Sequence, residues 1–317
     1  MENKEIIIND KIYNLSLEFI LGFFEGDGSV TIQLKSNPRH KTGKQVILIF
    51  EIHQHAIDKD LLKAISIYLD AGKVEIGRKV GKENNWVYRL RISTQKDLFN
   101  KLYPILRYQS MVLKKRNNDL NLFLEACKIV EAQKHTNLLG QRELEVISSK
   151  LSSKLNLDSK RSLPETFKSL NHEWVRGITD AEGNFNFSIY TRKDKTSSNI
   201  GTPEPDNNYN KKEVIFRFSI VQENSEITFL NKLTEFFKCG NVHIDSKGGG
   251  VFTVNNRKEL QSKIIPFFEN NELQTIKKHS FLCFKKALDI CLNNKVLMDI
   301  HYQNLEELKN DTKENRE

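Results

Sequence analysis

Long hydrophobic runs and cysteines are both scarce in this 317-residue sequence. No apolar stretch approaches the length that spans a membrane, so we expect no membrane partner. The four cysteines show neither a C-x-x-C pair nor the Cys/His spacing of a zinc site, which predicts reduced, mostly buried thiols. The N-terminal "MENKEIIIND" is acidic and its apolar run is short, which argues against a secretory signal and an Arg-rich transit peptide.

Acidic residues are outnumbered as well, because 41 Asp and Glu stand against 49 Lys and Arg, for a formal net charge of +8. Such a basic excess favours a polyanionic partner, either nucleic acid or an anionic surface. The apolar fraction of 38% and the charged fraction of 28% are typical of a soluble globular protein. A chain of this length predicts one large or two ordinary domains.

What the sequence does contain is an internal repeat. The stretch "FILGFFEGDGSV" (19–30) aligns with "WVRGITDAEGNF" (174–185). Three further segments repeat in the same order: "FEIHQ" (50–54) with "FSIVQ" (218–222), "DAGKVEI" (70–76) with "KCGNVHI" (238–244), and "STQKDLFNKLYP" (93–104) with "NNRKELQSKIIP" (255–266). The spacing changes only across polar, turn-like segments, so the chain is a duplication.

The repeat divides the chain into an N-terminal domain (1–134), a linker (135–170) and a C-terminal domain (171–317). Within the linker, Ile147, Leu151 and Leu155 follow helical spacing, which predicts one short amphipathic helix.

Hydrophobic periodicity predicts the order α-β-β-α-β-β-α in each copy. The strands have one apolar and one polar face, so each antiparallel sheet should carry helices on one face only, in an α+β fold. The predicted elements of the two copies are a helix (about 15–26 and 172–182), a strand beginning near Val30 and Phe185, a strand (46–54 and 214–222), a helix (58–69 and 225–237), a hairpin (74–92 and 242–254), and helices from about 95 and 257 to about 131 and 292, interrupted near Pro104 and Pro266.

The polar faces of the two sheets are candidate nucleic-acid surfaces. Their Lys, Arg, Gln, Asn and Ser side chains can grip phosphates and read base edges, but a solvated sheet face has the same composition. The candidates in the first copy are Thr31, Gln33, Lys35, Asn37, Arg39, Gln45, Glu51, Glu75, Lys79, Arg89 and Arg91. Those in the second copy are Asn186, Ser188, Tyr190, Arg192, Arg217, Ser219, Asn241, His243, Asp245 and Thr253.

The repeated motif predicts a tight pair of helices. Gly22 and Gly26 lie four residues apart on one helix face, as do the small residues Gly177 and Ala181 of the second copy. Faces without large side chains let two backbones approach closely, so each motif helix should pack against the other about a pseudo-twofold axis.

That pairing would bring together the acids at the two helix ends, Asp27 and Glu182. Two like charges at the negative ends of helix dipoles repel each other, whereas divalent cations such as Mg²⁺ between them would stabilise the arrangement. The alternative is that each acid-Gly pair only forms a turn. The occurrence of the acid in both copies favours a shared active site.

The two motifs, the repeated element order and the bridging linker resemble the LAGLIDADG homing endonucleases in their single-chain, two-motif form. The resemblance covers about residues 15–295 and implies a monomeric saddle that straddles double-stranded DNA. It also implies an Mg²⁺-dependent, staggered double-strand break, with two or three ions shared between the two motif acids.

The resemblance assigns roles to four kinds of residue. It implies that Asp27 and Glu182 bind metal with the carbonyls of Gly26 and Ala181. It further implies that Gln54 and Gln222 position water, and that Lys114 and Lys277 are the active-site basic residues, which can stabilise developing charge on phosphate. A solvated lysine at a helix start is the ordinary alternative for the last pair.

Two features depart from the family pattern. Some relatives carry an arginine four residues after the glutamine, where this chain has Asp58 and Glu226. His53 and His55 flank Gln54 in the first copy only, so a metal role lacks symmetry and a third ligand.

The function predicted from these features is a sequence-specific endonuclease with a non-palindromic site of roughly 20 bp. An intron RNA maturase of the same fold is the alternative, with intron RNA as its partner, and a DNA-binding regulator is a third. Retention of both acids favours cleavage. Abundant Lys, Asn, Ile and Phe suggest an AT-rich genome and an organelle-encoded protein.

Overall fold

The computed structural model of the chain describes residues 2–79, 86–152, 170–192, 211–294 and 296–314. It begins with a hairpin of β1 (Lys4–Ile8) and β2 (Lys11–Leu15). The first repeat then comprises α1 (Leu17–Asp27), β3 (Gly28–Ser36), β4 (Lys44–His55), α2 (Lys59–Leu69), β5 (Lys73–Lys79), β6 (Trp86–Ile92), α3 (Gln95–Asp97), α4 (Tyr103–Leu106) and α5 (Lys114–Glu131).

The remaining elements are the linker helix and the second repeat. They are α6 (Leu138–Ser152), α7 (His172–Glu182), β7 (Gly183–Arg192), β8 (Lys211–Glu223), α8 (Ile227–Phe237), β9 (Asn241–Ile244), β10 (Gly249–Val254), α9 (Arg257–Glu259), α10 (Ile265–Asn270), α11 (Lys277–Asn293) and α12 (Asp299–Glu314). The predicted α-β-β-α-β-β-α order is therefore confirmed in both copies.

Each repeat builds one four-stranded antiparallel sheet with the same strand order. The first sheet runs β3-β4-β6-β5 and the second runs β7-β8-β10-β9. Apolar residues alternate onto the helix-facing side, where Ile32, Phe50 and Leu90 are 0–4% exposed, as are Phe218 and Phe252 in the second sheet. The predicted α+β fold with helices on one face of each sheet is confirmed.

The helices after each hairpin are interrupted where the sequence has proline. A π-helical turn precedes each proline, at Leu98–Leu102 and at Leu260–Ile264. Pro104 and Pro266 then lie in the first turn of α4 and α10. Proline lacks the N–H that continues a helical ladder, so the hydrogen-bond register shifts just before it.

The linker helix α6 docks on the first sheet. Leu144 and Ile147 are buried, and the Ser148 hydroxyl donates to the Ile32 carbonyl on edge strand β3. This confirms an amphipathic linker helix with Ile147 on its apolar face. Leu155, which was predicted to extend it, lies outside the described residues.

Two elements were not predicted from the sequence: the β1–β2 hairpin and α12. The hairpin turns at Asn9 and Asp10, which have φ values of 49° and 62°. Asn and Asp tolerate this left-handed conformation, so the dipeptide was an available turn signal. The C-terminal helix α12 packs against α11, and the Tyr302 hydroxyl donates to the Lys212 carbonyl of β8.

All four cysteines are buried and none is in a disulfide. Among the described residues, no helix is both long enough and apolar enough to cross a membrane.

Candidate active site

Helices α1 and α7 pack backbone to backbone, as the glycine spacing predicted. A Cβ on Gly22 would lie 2.3 Å from the Trp174 carbonyl oxygen. A Cβ on Gly177 would lie 2.1 Å from the Phe19 carbonyl oxygen. Neither helix could come this close with any larger residue, because a backbone oxygen would have to move. The two glycines thus set the distance between the halves.

This packing brings the carboxyl ends of α1 and α7 together, with Asp27 and Glu182 at the junction. Burial raises the pKa of Asp27 to about 7, Lys277 opposes that shift, and the charge of Glu182 adds to it. Burial also raises the pKa of Glu182. The structure therefore places the two motif acids near each other in a partly desolvated environment.

Each motif acid lies in its own cleft. Asp27 lines a cavity of about 470 Å³, and Glu182 lines one of about 290 Å³. Gln54 at the end of β4 donates its side-chain amide to Asp27 Oδ2. Gln222 at the end of β8 lines the Glu182 cleft and hydrogen-bonds Glu182 through its side chain. Both glutamines therefore lie beside the motif acids, and their role with water stays a prediction.

The cation that reaches the second motif is Lys277, as predicted. Its Nζ donates to the carbonyl oxygens of Ala181 and Thr179. Burial lowers the pKa of Lys277, while Asp27, Asp180 and Glu182 act in the opposite direction. Although it begins α11 of the second half, Lys277 lines the cleft that contains Asp27.

The cation that reaches the carbonyls of the first motif is Arg116, whereas the role of Lys114 stays a prediction. Arg116 Nε donates to the Glu25 carbonyl at 2.8 Å, and its Nη2 donates to the Gly26 carbonyl at 3.2 Å. Helix α5 begins at Lys114, whose backbone N–H is capped by Glu226. Because Arg116 lies two residues further along α5, its side chain points to the motif and lines the Glu182 cleft.

A misaligned repeat explains why the sequence pointed to Lys114. Glu25 accepts from the N–H groups of Val112 and Leu113, and its counterpart Asp180 accepts from those of Gln274 and Thr275. This equivalence keeps the spacing of "STQKDLFNKLYP" and "NNRKELQSKIIP". It pairs Lys115, not Lys114, with Lys277, and Lys115 Nζ binds Glu223 at 3.2 Å.

Glu25 and Asp180 are buried acids beside the site that the sequence reasoning missed. Both are buried, and burial raises their pKa values, that of Glu25 to about 7. Glu25 also accepts from Trp174 Nε1 at 2.8 Å, which links it to the other half. These acids hold the starts of α5 and α11 against the motif helices. The signal was an acid two residues before each of the motif acids Asp27 and Glu182.

Asp58 and Glu226, which stand where some relatives carry arginine, cap helices of the opposite half. Asp58 of the first half accepts from the Ile276 N–H at 2.9 Å. Glu226 of the second half accepts from the N–H groups of Lys114 and Lys115 at 2.9 and 3.0 Å. We call these two contacts the crossed caps. They fix the first turn of α11 and α5, from which Lys277 and Arg116 extend.

His53 and His55 end β4 beside the Asp27 cleft. His53 Nε2 lies 3.5 Å from Glu51 Oε2 on the outer face of the sheet. Neither histidine belongs to a group of three metal-ligating side chains among the described residues.

On the outer face of the first sheet, arginines are held by carboxylates. Glu51, 9% exposed, has Oε1 3.5 Å from Arg89 Nη1 and 2.9 Å from Arg91 Nη1. Glu75 Oε1 lies 2.7 Å from Arg89 Nη2. The predicted candidates Glu51 and Glu75 therefore orient the two arginines from within the face.

One predicted member of this face is wrong and one was missed. A β-bulge between Ile76 and Arg78 shifts the alternation of β5, so Arg78 pairs with Val87 and Lys79 pairs with Trp86. Because Val87 shares the outer face with Arg89, Arg78 lies on that face and Lys79 does not. Arg78 also lines the Asp27 cleft.

The other first-sheet candidates divide between strand and turn. Asn37 and Arg39 lie in the turn after β3, where Asn37 accepts from the Arg39 N–H at 3.1 Å. The residues placed on the outer strand face are Thr31, Gln33, Lys35 and Gln45.

The outer face of the second sheet carries mostly uncharged polar side chains. Ser219 and Thr253 lie on that side but are only 5% exposed. Asp245 is wrong as a face residue, because it lies in the β9–β10 turn and accepts from the N–H groups of Lys247 and Gly249. The side chain of Arg192 lies outside the described residues. The candidates placed on the face are Asn186, Ser188, Tyr190, Arg217, Asn241 and His243.

Comparison with known proteins gives one family and a consistent set of relatives. The model of the family described as LAGLIDADG endonuclease matches residues 20–127 and 175–288. "Probable intron-encoded endonuclease 2" of Neurospora crassa is 26% identical over 93% of this chain and 65% of its own length. "Probable intron-encoded endonuclease 3" of Neurospora crassa is 25% identical over 86% of this chain. The chain spans 50% of that second relative, so these two curated relatives are substantially longer.

A relative of similar length and two solved structures extend the comparison. "Probable intron-encoded DNA endonuclease 1" of Mycosarcoma maydis is 19% identical over 84% of this chain and 97% of its own length. The structure of I-SmaMI bound to uncleaved DNA with calcium ions superposes with a TM-score of 0.78, at 20% identity over 93% of this chain and 98% of that chain. The DNA-bound structure of the LAGLIDADG homing endonuclease I-LtrWI gives 0.77, at 23% identity over 92% and 96%. The two solved structures share the fold described above.

Proposed function

The chain belongs to the LAGLIDADG endonuclease family, and from this premise we propose that it cleaves both strands of a DNA duplex. The observation that carries the proposal is the meeting of two clefts at the ends of α1 and α7. Each cleft holds one of the two acids Asp27 and Glu182, one glutamine, and a cation that donates to a motif carbonyl. Two such sets related by a pseudo-twofold suit two cuts on opposite strands.

The donor atoms at the junction support a divalent-metal site. Asp27 and Glu182 offer carboxylate oxygens and the neighbouring motif residues offer carbonyls, which are the ligands that Mg²⁺ prefers. We propose that these two acids, with the carbonyls of Gly26 and Ala181, hold two or three Mg²⁺ ions. Both carbonyls accept from Arg116 or Lys277, and each keeps a second lone pair. When bound, such ions activate water and stabilise charge on phosphodiester oxygens.

The side chains around this centre would orient the two carboxylates and stabilise the charge that develops on the phosphate. Gln54 donates to Asp27 and thereby fixes the orientation of its carboxylate. Gln222 hydrogen-bonds Glu182 and would orient that carboxylate in the same way in the second cleft. Arg116 and Lys277 bring one positive charge to each cleft, where partial burial strengthens attraction to developing phosphate charge.

The two outer sheet faces would bind the duplex on either side of the cuts. We propose a monomer that spans roughly 20 bp and makes a staggered break, because each half spans about one helical turn. Arg78, Arg89, Arg91 and Arg217 supply the phosphate or base contacts with the most charge. The differing faces imply a non-palindromic site.

The relatives named as intron-encoded endonucleases support an intron origin and the proposal that the protein is organelle-encoded. We also propose the division into domains 1–134 and 171–317 joined by the linker 135–170.

The test is cleavage of a duplex library by the parent, Asp27→Asn and Glu182→Gln proteins in Mg²⁺, with Ca²⁺ and EDTA as controls. Both variants should bind DNA as the parent does and lose double-strand cleavage by at least about 100-fold. Binding should fall steeply as salt rises. Parent-like double-strand cleavage by either variant would exclude a shared centre. Tight binding of structured RNA with no DNA cleavage by the parent would favour the maturase alternative.

A further inference from the structure

Three metal-ligating side chains converge where α12 packs on α11, outside the residues that line the two clefts. His279 and Cys283 lie one turn apart on α11, and Asp311 comes from α12. His279 Nε2 is 3.1 Å from Asp311 Oδ2. Cys283 Sγ is 3.5 Å from each of those two atoms. The same nitrogen, sulfur and oxygen therefore form one nearly equilateral triangle.

The triangle has the dimensions of one face of a tetrahedral zinc site. Zinc binds thiolate at about 2.3 Å and imidazole or carboxylate at about 2.0–2.2 Å, so ligand atoms in a tetrahedron stand about 3.6 Å apart for S–N and S–O and about 3.3 Å apart for N–O. The observed 3.5, 3.5 and 3.1 Å differ from these values by small amounts. A metal ion could bind with little movement of the helices.

The donor set also selects the metal. A thiolate with an imidazole favours zinc and its close analogue cobalt, whereas Mg²⁺ prefers oxygen ligands. This preference is the opposite of that expected from the carboxylates and carbonyls at Asp27 and Glu182. The exposures differ usefully too, since Cys283 is 2% exposed while the side chains of His279 and Asp311 are 34% and 47% exposed. An ion could enter from the solvent side.

We propose that His279, Cys283 and Asp311 form a zinc site that joins α12 to α11, with water as the fourth ligand. Coordination releases the thiol proton of Cys283 to solvent, so binding should strengthen as pH rises. Burial raises the pKa of this thiol, which makes the released proton part of the cost of binding. The three ligands lie outside the two clefts that hold Asp27 and Glu182.

Metal binding would fix the part of α12 that lies beside the second sheet. Thr312 neighbours Cys283. Lys309 and Lys313 line the same small cavity as Asn186 of β7. The zinc site would therefore hold two lysines next to a strand that bears proposed DNA contacts.

The test is a Co²⁺ titration of the full chain, stripped with chelator and kept in excess Mg²⁺ so that oxygen sites are occupied. The proposal predicts one equivalent of tetrahedral Co²⁺ with a sulfur-to-cobalt charge-transfer band, displaced by Zn²⁺. Cys283→Ser should remove that band, and Asp311→Asn should weaken Zn²⁺ binding by about 100-fold or more, since even outer contacts of a metal site contribute 10- to 100-fold.

Cys291→Ser is the matched control, because Cys291 is a buried cysteine of the same helix that lies outside the cluster. It should keep the band. Zn²⁺ should also raise the Tm of Cys291→Ser as much as it raises the Tm of the parent, because a metal that binds only the folded state stabilises it. Circular dichroism checks that Cys283→Ser is folded, and the exposed Asp311→Asn provides a test if it is not. Binding without a sulfur band, a band that survives in Cys283→Ser, or no binding of Zn²⁺ by the parent would overturn the proposal and leave a hydrogen-bonded trio.

Discussion

The two halves of the molecule agree in the acids that cap helices and differ in the cations that reach the motif carbonyls. Glu25 and Asp180 accept hydrogen bonds from backbone N–H groups at equivalent positions of the two copies. Arg116 and Lys277, by contrast, come from positions that are not equivalent in the repeat and still reach Gly26 and Ala181. Duplication therefore preserved the backbone geometry around the centre, while a different side chain supplied the same charge.

The outer sheet faces differ more strongly. The first face has arginines paired with carboxylates, whereas the placed candidates of the second face include one arginine among uncharged polar and His side chains. Ion pairs hold Arg89 and Arg91 in place before any ligand arrives, so their ordering costs less on binding. The asymmetry is what a two-part, non-palindromic target would require.

The largest effect that we expect comes from Gly22 and Gly177, which occur at equivalent positions in the two halves and let α1 and α7 pack closely. Gly22→Ala and Gly177→Ala should each reduce the free energy of unfolding by about 3 kcal/mol, because the added Cβ overlaps a backbone oxygen that cannot move freely. Urea denaturation measures the change. Gly249→Ala is the control, since its Cβ would meet the Asp245 side chain at 3.4 Å. If Gly22→Ala is as stable as the control, the helix contact is looser than described.

The next effect separates the two cations. Arg116→Met and Lys277→Met should each slow cleavage by about 100-fold, as for the loss of one stabilising charge at a reacting phosphate. Lys114→Met and Lys115→Met are matched controls at neighbouring positions and should slow it less than tenfold. Cleavage of a linear duplex that is end-labelled on one strand at a time gives the rate for each strand. A larger loss in Lys114→Met than in Arg116→Met would support the prediction made from the sequence.

The next prediction concerns the crossed caps, each of which should contribute to the free energy of unfolding. Glu226→Ala and Asp58→Ala should lower the free energy of unfolding by about 1–2 kcal/mol, because helix N–H groups lose their acceptors. Glu226 should matter more, since it accepts two N–H groups and Asp58 accepts one. Chemical denaturation measures this, with Glu223→Ala at an exposed ion pair as control. If Glu223→Ala lowers the free energy of unfolding equally, the crossed caps do not stabilise the fold as described.

The smallest effect concerns the pH dependence of stability without metal. The folded pKa of Asp27 is about 7, above its usual 3.8, so the native state binds a proton that the unfolded state releases. Stability should therefore fall as pH rises from about 4 to about 7 and then level off. Asp27→Asn removes this loss and should raise Tm at pH 8 by about 2–4 °C.

Calorimetry at pH 5 and pH 8 measures the difference in Tm between Asp27→Asn and the parent, which should be smaller at pH 5. Added Mg²⁺ should make the parent the more stable protein, because only the parent keeps the Asp27 carboxylate as a metal ligand. A variant that is less stable than the parent at pH 8 would mean that pairing with Lys277 outweighs the burial of Asp27.

Most of the fold could be predicted because each element of the repeat occurs twice in the sequence, so the pattern in one copy supports the same prediction in the other. The glycine spacing predicted the helix contact, and the acid at each helix end predicted the meeting of Asp27 and Glu182. The hairpin β1–β2 and helix α12 lie outside the repeat, so no second copy pointed to them. Only the Asn9-Asp10 turn signalled the hairpin.

The errors at the site come from single-residue shifts. A one-residue slip in the repeat alignment paired Lys277 with Lys114 instead of Lys115, and the cation that reaches the first motif, Arg116, is one residue further still. A bulge reversed the alternation of β5 and exchanged Lys79 for Arg78. Contacts between the halves, such as those of Asp58 and Glu226, join residues far apart in sequence. No local pattern reveals them.

The crossed caps also set an order for synthesis and folding. Asp58 and Ile276 are 218 residues apart, and Glu226 meets Lys115 across 111 residues. While the chain emerges from the ribosome, the first half can form its sheet, but the start of α5 must wait for its acceptor. Contacts of such long range form late, because a large loop must close first. The junction of Asp27 and Glu182 is thus completed only after α11 has been synthesised, so the first half alone does not form it.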